Sequence, residues 1–236
     1  MIRPALTLRR RRILVDVDIQ QDLFLADGKA CIRNHRRVLA NIRRIMAWAR
    51  RNRIRQISTI LLKDPNRANG NGQYCVAGTA GAKKISYTMR NNHISFGSEK
   101  STDLPRLLLN TYDQAILTKE NDDPFDQPRA DRMLSETKAT EFIVIGGLAE
   151  TAVKATVLGL LVRRRAVTVL TDALGYHDKN VADIALRQMQ AKGAKLIDSK
   201  GLLGHSHLRV VYACRCDRCR GRLPKTCATS LFQDEA

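Results

Sequence analysis

Apolar, β-branched runs alternate with amphipathic segments along most of the chain. Residues 12–18 form a strand-like run, and in residues 36–53 apolar side chains recur at helical spacing. The alternation continues with predicted strands at 56–62, 114–119, 141–145, 166–171 and 194–198, and predicted helices at 103–111, 128–138, 150–163 and 179–191. This order predicts a three-layer α/β/α sandwich around a parallel six-stranded sheet.

The pattern divides the chain into three parts. Residues 1–11 are predicted to be a basic tail, residues 12–200 one α/β domain, and residues 201–236 a basic, cysteine-rich extension. A long stretch rich in glycine and asparagine, between Asp64 and Lys100, exceeds ordinary connector length and predicts an ordered flap.

Several polar residues and one glycine follow or end the predicted strands. These are Asp18, Asp64, Lys119, Gly146 and Asp172. In an open parallel sheet the ligand site lies beyond the carboxyl ends of the strands, so these residues are expected to converge on one crevice.

Four motifs, in this order along the chain, resemble motifs of the isochorismatase-like superfamily, which includes the nicotinamidases. They are VDIQQDLF at 17–24, LTK at 117–119, GGLAETAVKAT at 146–156 and VLTDA at 169–173. The resemblance implies that Asp18 and Lys119 are catalytic. It also implies that the ligand is bordered by Asp64, Phe125, Gly147 and Thr151.

Within the third motif, Ala152 occupies the position at which relatives carry the cysteine nucleophile. A methyl group cannot attack a carbonyl, so acyl-enzyme chemistry is not expected. The resemblance offers another route, because isochorismatases of this superfamily also lack the cysteine and use the aspartate as a general acid. Such a role for Asp18 would need a raised pKa, which burial would favour and Lys119 would oppose.

The flap contains YCVAGTAG at 74–81, which resembles the segment of nicotinamidases that helps to bind a metal. The metal-binding aspartate is retained as Asp64, but Asn66 and Tyr74 stand where the resemblance implies histidines. Neither is a good transition-metal ligand, so this metal site is expected to be lost, and no organic cofactor is predicted. Cys75 and Cys31 are expected to be inert thiols.

Four cysteines lie close together in the extension, and their spacing suits a structural zinc. They are Cys214, Cys216, Cys219 and Cys227. Free thiols or redox pairs are equally compatible with the spacing, whose leading C-x-C is unusual for zinc. Arginines alternate with these cysteines, so the extension is also a candidate for contacts with nucleic-acid phosphates.

The net charge of +18 and the pI of about 10.2 describe a strongly basic protein. Such a field attracts nucleic acid or another polyanion, although a solvated basic surface explains it equally well. The longest apolar run, 142–149, is too short to cross a membrane, and the first residues do not form a secretory signal, so a cytoplasmic protein is expected. The family resemblance suggests a homo-oligomer.

Three functions therefore remain open. The first is a hydrolase of isochorismatase type that acts on a small molecule without a thiol, using Asp18 and Lys119. The second is a pseudoenzyme that binds a small ligand or a protein. The third is a nucleic-acid-associated protein that binds through its basic tail.

Overall fold

The computed structural model describes residues 11–65 and 73–204, and within them seven parallel strands form one sheet. The strands are β1 (Arg12–Val17), β2 (Arg55–Leu61), β3 (His93–Phe96), β4 (Gln114–Lys119), β5 (Glu141–Gly146), β6 (Val167–Leu174) and β7 (Lys195–Ile197). Their order across the sheet is β3-β4-β2-β1-β5-β6-β7.

The described helices alternate with these strands. They are α1 (Gln21–Phe24), α2 (His35–Arg51), α3 (Leu108–Thr111), α4 (Pro128–Glu136), α5 (Lys154–Val162), α6 (Lys179–Ala191) and α7 (Ser199–Leu203). Short 3-10 segments at Ser86–Thr88 and Pro124–Asp126 and a π-helical turn at Ala149–Val153 complete the elements.

Two apolar clusters fill the space on either side of the sheet. On one side, α2 buries Val38, Ile42 and Ile45 against strand residues such as Leu14 and Ile143. On the other side, α4, α5 and α6 pack against alternate residues of the same strands. Because both faces of the sheet are covered, the predicted layered α/β architecture with a parallel sheet is confirmed.

The predicted strand count was wrong, because the sheet has seven strands rather than six. The additional strand, β3, lies inside the segment predicted to be a flap and pairs with β4 from Gln114 to Leu117. The predicted helix at 103–111 was also too long. Only its last turn, α3, is helical, and Leu107 immediately before it has a left-handed backbone with φ +55°. The predicted extension begins within α7, and its residues 205–236, which include the four cysteines, lie outside the described residues.

A polar layer is buried beneath the flap. Asp16 of β1 is fully buried and forms an ion pair with Lys84, whose side chain is 5% exposed. Burial raises the pKa of Asp16, and the charge and hydrogen bond of Lys84 oppose that rise. The amide of Gln114 donates nearby to Ser58 Oγ at 2.7 Å and to the Thr88 carbonyl at 3.1 Å.

The end of β5 makes a close backbone contact with the end of β1. Gly146 has φ +123°, and a Cβ atom at this position would lie 2.1 Å from the carbonyl oxygen of Val17. Its neighbour Gly147 donates its amide to the same carbonyl at 3.0 Å. Only glycine satisfies both the backbone angle and the distance, so this residue fixes where the chain leaves β5.

Candidate active site

The first and fourth strands bring a carboxylate and an ammonium group together at the carboxyl edge of the sheet. Lys119 Nζ lies 2.7 Å from Asp18 Oδ2, and both side chains are almost fully buried. Thr59 at β2 donates its hydroxyl to Asp18 Oδ1 at 2.7 Å. Each carboxylate oxygen of Asp18 therefore has its own partner.

Lys119 is held by more than this ion pair. Its ammonium also donates to the carbonyl oxygens of Asn121 at 2.9 Å and Asp122 at 3.1 Å. An ammonium has three protons, so these two carbonyls and Asp18 account for all of its hydrogen-bonding capacity. The orientation of the ion pair is thus set from the side of β4 as well as from β1.

Asp18 has an unusual backbone for a non-glycine residue. Its φ is +49°, and its amide donates to the carbonyl of Thr59 at 3.2 Å. Two residues later, the Gln20 side chain donates to the Leu61 and Ala82 carbonyls and accepts from the Leu61 amide, each at 2.8 Å. These bonds join the end of β1 to β2 and to the flap, which holds the left-handed residue in place.

A cleft of about 230 Å³ opens beside the ion pair. It is lined by Ser98, Lys100, Lys119, Glu120, Asn121, Asp123, Asp126 and Gln127. All of these side chains are polar, and Lys119 is the residue that belongs to both the cleft and the ion pair. A ligand of this cleft would therefore be small and polar.

The turn after β5 carries two buried polar atoms that lack partners among the described residues. Ala152 is buried within the π-helical turn, and its carbonyl accepts from the hydroxyl of Thr156 at 2.7 Å. The hydroxyl of Thr151 and the Oε2 atom of Glu150 are buried without a hydrogen bond. Such atoms are costly to bury unless something supplies a partner.

The remaining predicted site residues lie in different surroundings. The ring of Phe125 packs beside Gly159 and beneath the guanidinium of Arg163, at 3.8 Å from ring centroid to Cζ. Asp64 is exposed.

Asp172 does not border the crevice as predicted. It lies inside β6, where it accepts hydrogen bonds from Asn41 of α2 and from the amide and hydroxyl of Ser199. The prediction was wrong because β6 continues for two residues beyond Asp172.

Asp22 is a structurally important residue that the sequence did not single out. Its carboxylate accepts from the amide of Cys75 at 2.7 Å and from the amide of Lys29 at 3.2 Å. A Cβ atom on Gly81 would overlap this carboxylate at 2.0 Å. Asp22 therefore anchors the flap to the loop that follows α1. Its position in the 17–24 motif was the signal in the sequence that could have identified it.

The flap residues do not fit a transition metal. Tyr74 lies beneath the ammonium of Lys63, 3.7 Å from nitrogen to ring centroid, and burial raises the pKa of its phenol. A protonated phenol that faces a lysine is a poor ligand. Within residues 11–65 and 73–204 no group of three potential ligands could hold a metal ion. Asn66 and the four cysteines of the extension lie outside the described residues.

Cys75 is not suited to act as a nucleophile. It is fully buried, and burial followed by the negative charges of Asp18 and Asp22 raises the pKa of its thiol to about 12. Only a thiolate attacks efficiently, so this thiol is inert at neutral pH. The predicted inert character of Cys75 is consistent with this environment.

Alkylation should show directly that the Cys75 thiol is unreactive in the folded protein. We expect iodoacetamide at neutral pH to leave Cys75 unmodified in the folded protein and to modify it after denaturation, as measured by peptide mass spectrometry. In the folded protein the pKa of the Cys75 thiol exceeds the ordinary value of 9.0. The thiol therefore contributes to the free energy of unfolding below about pH 9, and this contribution is lost as the pH rises towards about 12. Rapid labelling of Cys75 in folded protein would contradict this assignment.

No helix in the described part of the chain is long and apolar enough to cross a membrane.

Comparisons with known proteins agree with this fold. A family model described as the isochorismatase domain matches residues 12–201. No curated protein sequence matches the chain significantly.

Solved structures share the fold at low sequence identity. Pyrazinamidase of Pyrococcus horikoshii, in complex with zinc, is 20% identical with a TM-score of 0.62, covering 80% of this chain and 99% of that chain. Nicotinamidase of Bacillus subtilis is 14% identical with a TM-score of 0.63, covering 80% and 99%. A ribonuclease of Caenorhabditis elegans is 20% identical with a TM-score of 0.55, covering 82% and 79%. From the family match, which spans most of its length, this chain belongs to the isochorismatase family.

Proposed function

We propose that the protein is a thiol-independent hydrolase that acts on a small polar molecule at the carboxyl edge of its sheet. In this proposal Asp18 transfers the proton, Lys119 is its electrostatic partner, and Ala152 stands at the position of the family nucleophile. Asp64, Phe125, Gly147 and Thr151 are retained as residues that border the ligand.

The buried ion pair between Asp18 and Lys119 is the observation that carries the proposal. Removing two charges from water is costly, and a buried pair contributes little to stability compared with apolar residues of the same size. The left-handed backbone of Asp18 adds a further cost, and residues with such strain cluster at active sites. Because replacing such a pair with apolar residues is often neutral or stabilising, stability alone does not account for it.

The geometry favours Asp18 as a general base. Its carboxylate accepts from Thr59 and faces an ammonium group at 2.7 Å, so both of its oxygens act as acceptors. Such a group can take a proton from water as the water attacks the substrate, and can then return that proton to the leaving group. The hydroxyl of Thr151, which has no partner in the part of the chain that the structure describes, could donate to an oxygen on which negative charge develops.

Replacing Asp18 with asparagine tests this role. We expect Asp18→Asn to lower kcat by about 100-fold or more, because loss of a general base costs 10²–10⁴-fold. The substrates to screen are isochorismate, nicotinamide and a panel of small amides. Asp103→Asn, an exposed aspartate, is the matched control and should keep full turnover.

Unchanged turnover in Asp18→Asn would remove Asp18 from the mechanism. Circular dichroism of both variants would establish that the fold is retained. Asparagine has nearly the same shape as aspartate, so the Thr59 hydroxyl keeps an acceptor.

A pseudoenzyme that only binds a ligand is the second candidate. It is favoured by the saturated ammonium of Lys119 and by the fact that Asp18 is not among the residues that line the cleft. Calorimetry with the same compounds separates the two functions. Binding without turnover, in wild type and in Asp18→Asn alike, would support the pseudoenzyme.

A further inference from the structure

Helix α2 carries a repeated pair of arginines. The pairs are Arg36 and Arg37, Arg43 and Arg44, and Arg50 and Arg51, so each pair follows the previous one after seven residues. Seven residues make almost two helical turns and about 10.5 Å of rise. The six guanidinium groups therefore form one stripe about 21 Å long, which we call the α2 arginine face.

The α2 arginine face is exposed, and within the described part of the chain no carboxylate pairs with it. All six residues are exposed, whereas the opposite side of α2 is buried against the sheet. The helix contains no aspartate or glutamate, and none of the six arginines forms an ion pair with another described residue. By contrast, exposed cations elsewhere, such as Arg132 and Lys179, pair with carboxylates four residues away.

The structure gives a second sign that positive charge accumulates at the end of α2. Burial and then the charges of Arg50 and Arg55 lower the pKa of Arg90 to about 10. Arg50 is oriented towards this region by hydrogen bonds to the carbonyls of Tyr87 and Met89. Carbonyls orient a guanidinium without cancelling its charge, so the local potential remains positive.

We propose that the α2 arginine face binds the phosphate backbone of a nucleic-acid duplex. Arginine suits this role because its planar guanidinium forms two parallel hydrogen bonds to a phosphate. Each strand of a duplex carries one phosphate per 3.4 Å of helix axis, so several phosphates lie within reach of a stripe about 21 Å long. This inference is independent of the proposed hydrolase function.

A duplex fits this surface better than a single strand or a membrane. Proteins that bind single strands stack bases on free aromatic rings. Tyr87 beside this face is covered by the guanidinium of Arg43, 4.8 Å from ring centroid to Cζ, and Trp48 of α2 is partly buried against the apolar cluster. Helices that bind membranes insert large apolar side chains. The exposed large apolar side chains of the described chain, Leu107, Val162, Val181 and Ile184, all lie outside α2.

The test uses the full chain and a fluorescent DNA duplex of about 20 base pairs and arbitrary sequence, with affinity measured by anisotropy over a range of salt concentrations. The test variant combines Arg36→Gln, Arg37→Gln, Arg44→Gln and Arg51→Gln, and spares the two arginines that contact Tyr87. The control variant removes four exposed cations elsewhere, by Arg106→Gln, Arg164→Gln, Arg187→Gln and Lys192→Gln. Both variants lose the same net charge.

We expect wild type to bind with a steep salt dependence and the test variant to bind at least about tenfold more weakly, with the slope of log K against log salt reduced by about 3. The control variant should stay within about twofold of wild type, because general charge acts weakly at physiological salt. Equal losses in both variants would overturn the proposal, as would absent duplex binding by wild type. Binding to phosphatidylserine vesicles without binding to the duplex would also overturn it.

Discussion

Replacing Lys84 with methionine is expected to lower the free energy of unfolding by about 3–5 kcal/mol, because it leaves the Asp16 carboxylate buried without its cation. Asp16 is fully buried, and Lys84 is its ion-pair partner. One oxygen of Asp16 already has no hydrogen-bond partner among residues 11–65 and 73–204, so the loss of Lys84 leaves the carboxylate poorly solvated. Urea unfolding followed by circular dichroism measures the change.

The neighbouring residue provides the control. Lys83 is exposed, so Lys83→Met should change stability by no more than about 0.5 kcal/mol. The double variant Asp16→Asn with Lys84→Met should recover part of the loss, because no charge is then buried. If Lys84→Met and Lys83→Met are equally stable, the ion pair contributes nothing.

The loss of stability in Lys84→Met should also depend on pH. Burial raises the pKa of Asp16 above 3.8 in the folded protein, and removing Lys84 removes the influence that lowers it. A carboxyl group whose pKa is higher in the folded protein than in the unfolded chain contributes to stability at a pH below the unfolded-state pKa. This contribution is lost as the pH rises. Lys84→Met should therefore be closer to wild type at about pH 4 than at about pH 8.

Gly146→Ala is expected to cost more than about 4 kcal/mol, or to prevent folding, because two separate penalties act at once. The residue needs φ +123°, and its new methyl carbon would lie 2.1 Å from the carbonyl oxygen of Val17. That oxygen belongs to the backbone of a central strand and cannot move away. Soluble yield and thermal unfolding would report the loss.

Gly193→Ala separates the two penalties. Gly193 also has a positive φ, of +106°, but an added Cβ atom there meets no other atom within 4 Å. Backbone strain alone should cost about 1–2 kcal/mol. A Gly146→Ala protein as stable as Gly193→Ala would show that the contact with Val17 is not fixed.

The strands that the sequence predicted best are those that are buried on both faces. For β1, β2 and β4 the predicted bounds differ from the structure by no more than one residue, since their apolar, β-branched runs are visible without knowledge of their neighbours. β3 was missed because its four residues, HISF, have no such run and are extended through pairing with β4. Long-range pairing of this kind leaves no local pattern.

The same limit explains what was missed at the candidate site. The end-of-strand rule predicted that Asp18 and Lys119 would meet, and they form the ion pair. It could not identify Thr59, which reaches Asp18 only because β2 lies next to β1 in a particular register. It failed for Asp172 because the strand end was predicted too early.

The central position of β1 leaves one of its edges unpaired while the chain is being synthesised. Among the described strands it is made first, but it lies between β2 and β5, and β5 begins only at Glu141. On the ribosome, one edge of an apolar central strand therefore waits on the order of ten seconds for its neighbour. During that time the edge can pair with other chains, so the nascent protein would be at its most vulnerable to aggregation before the second half of the sheet emerges.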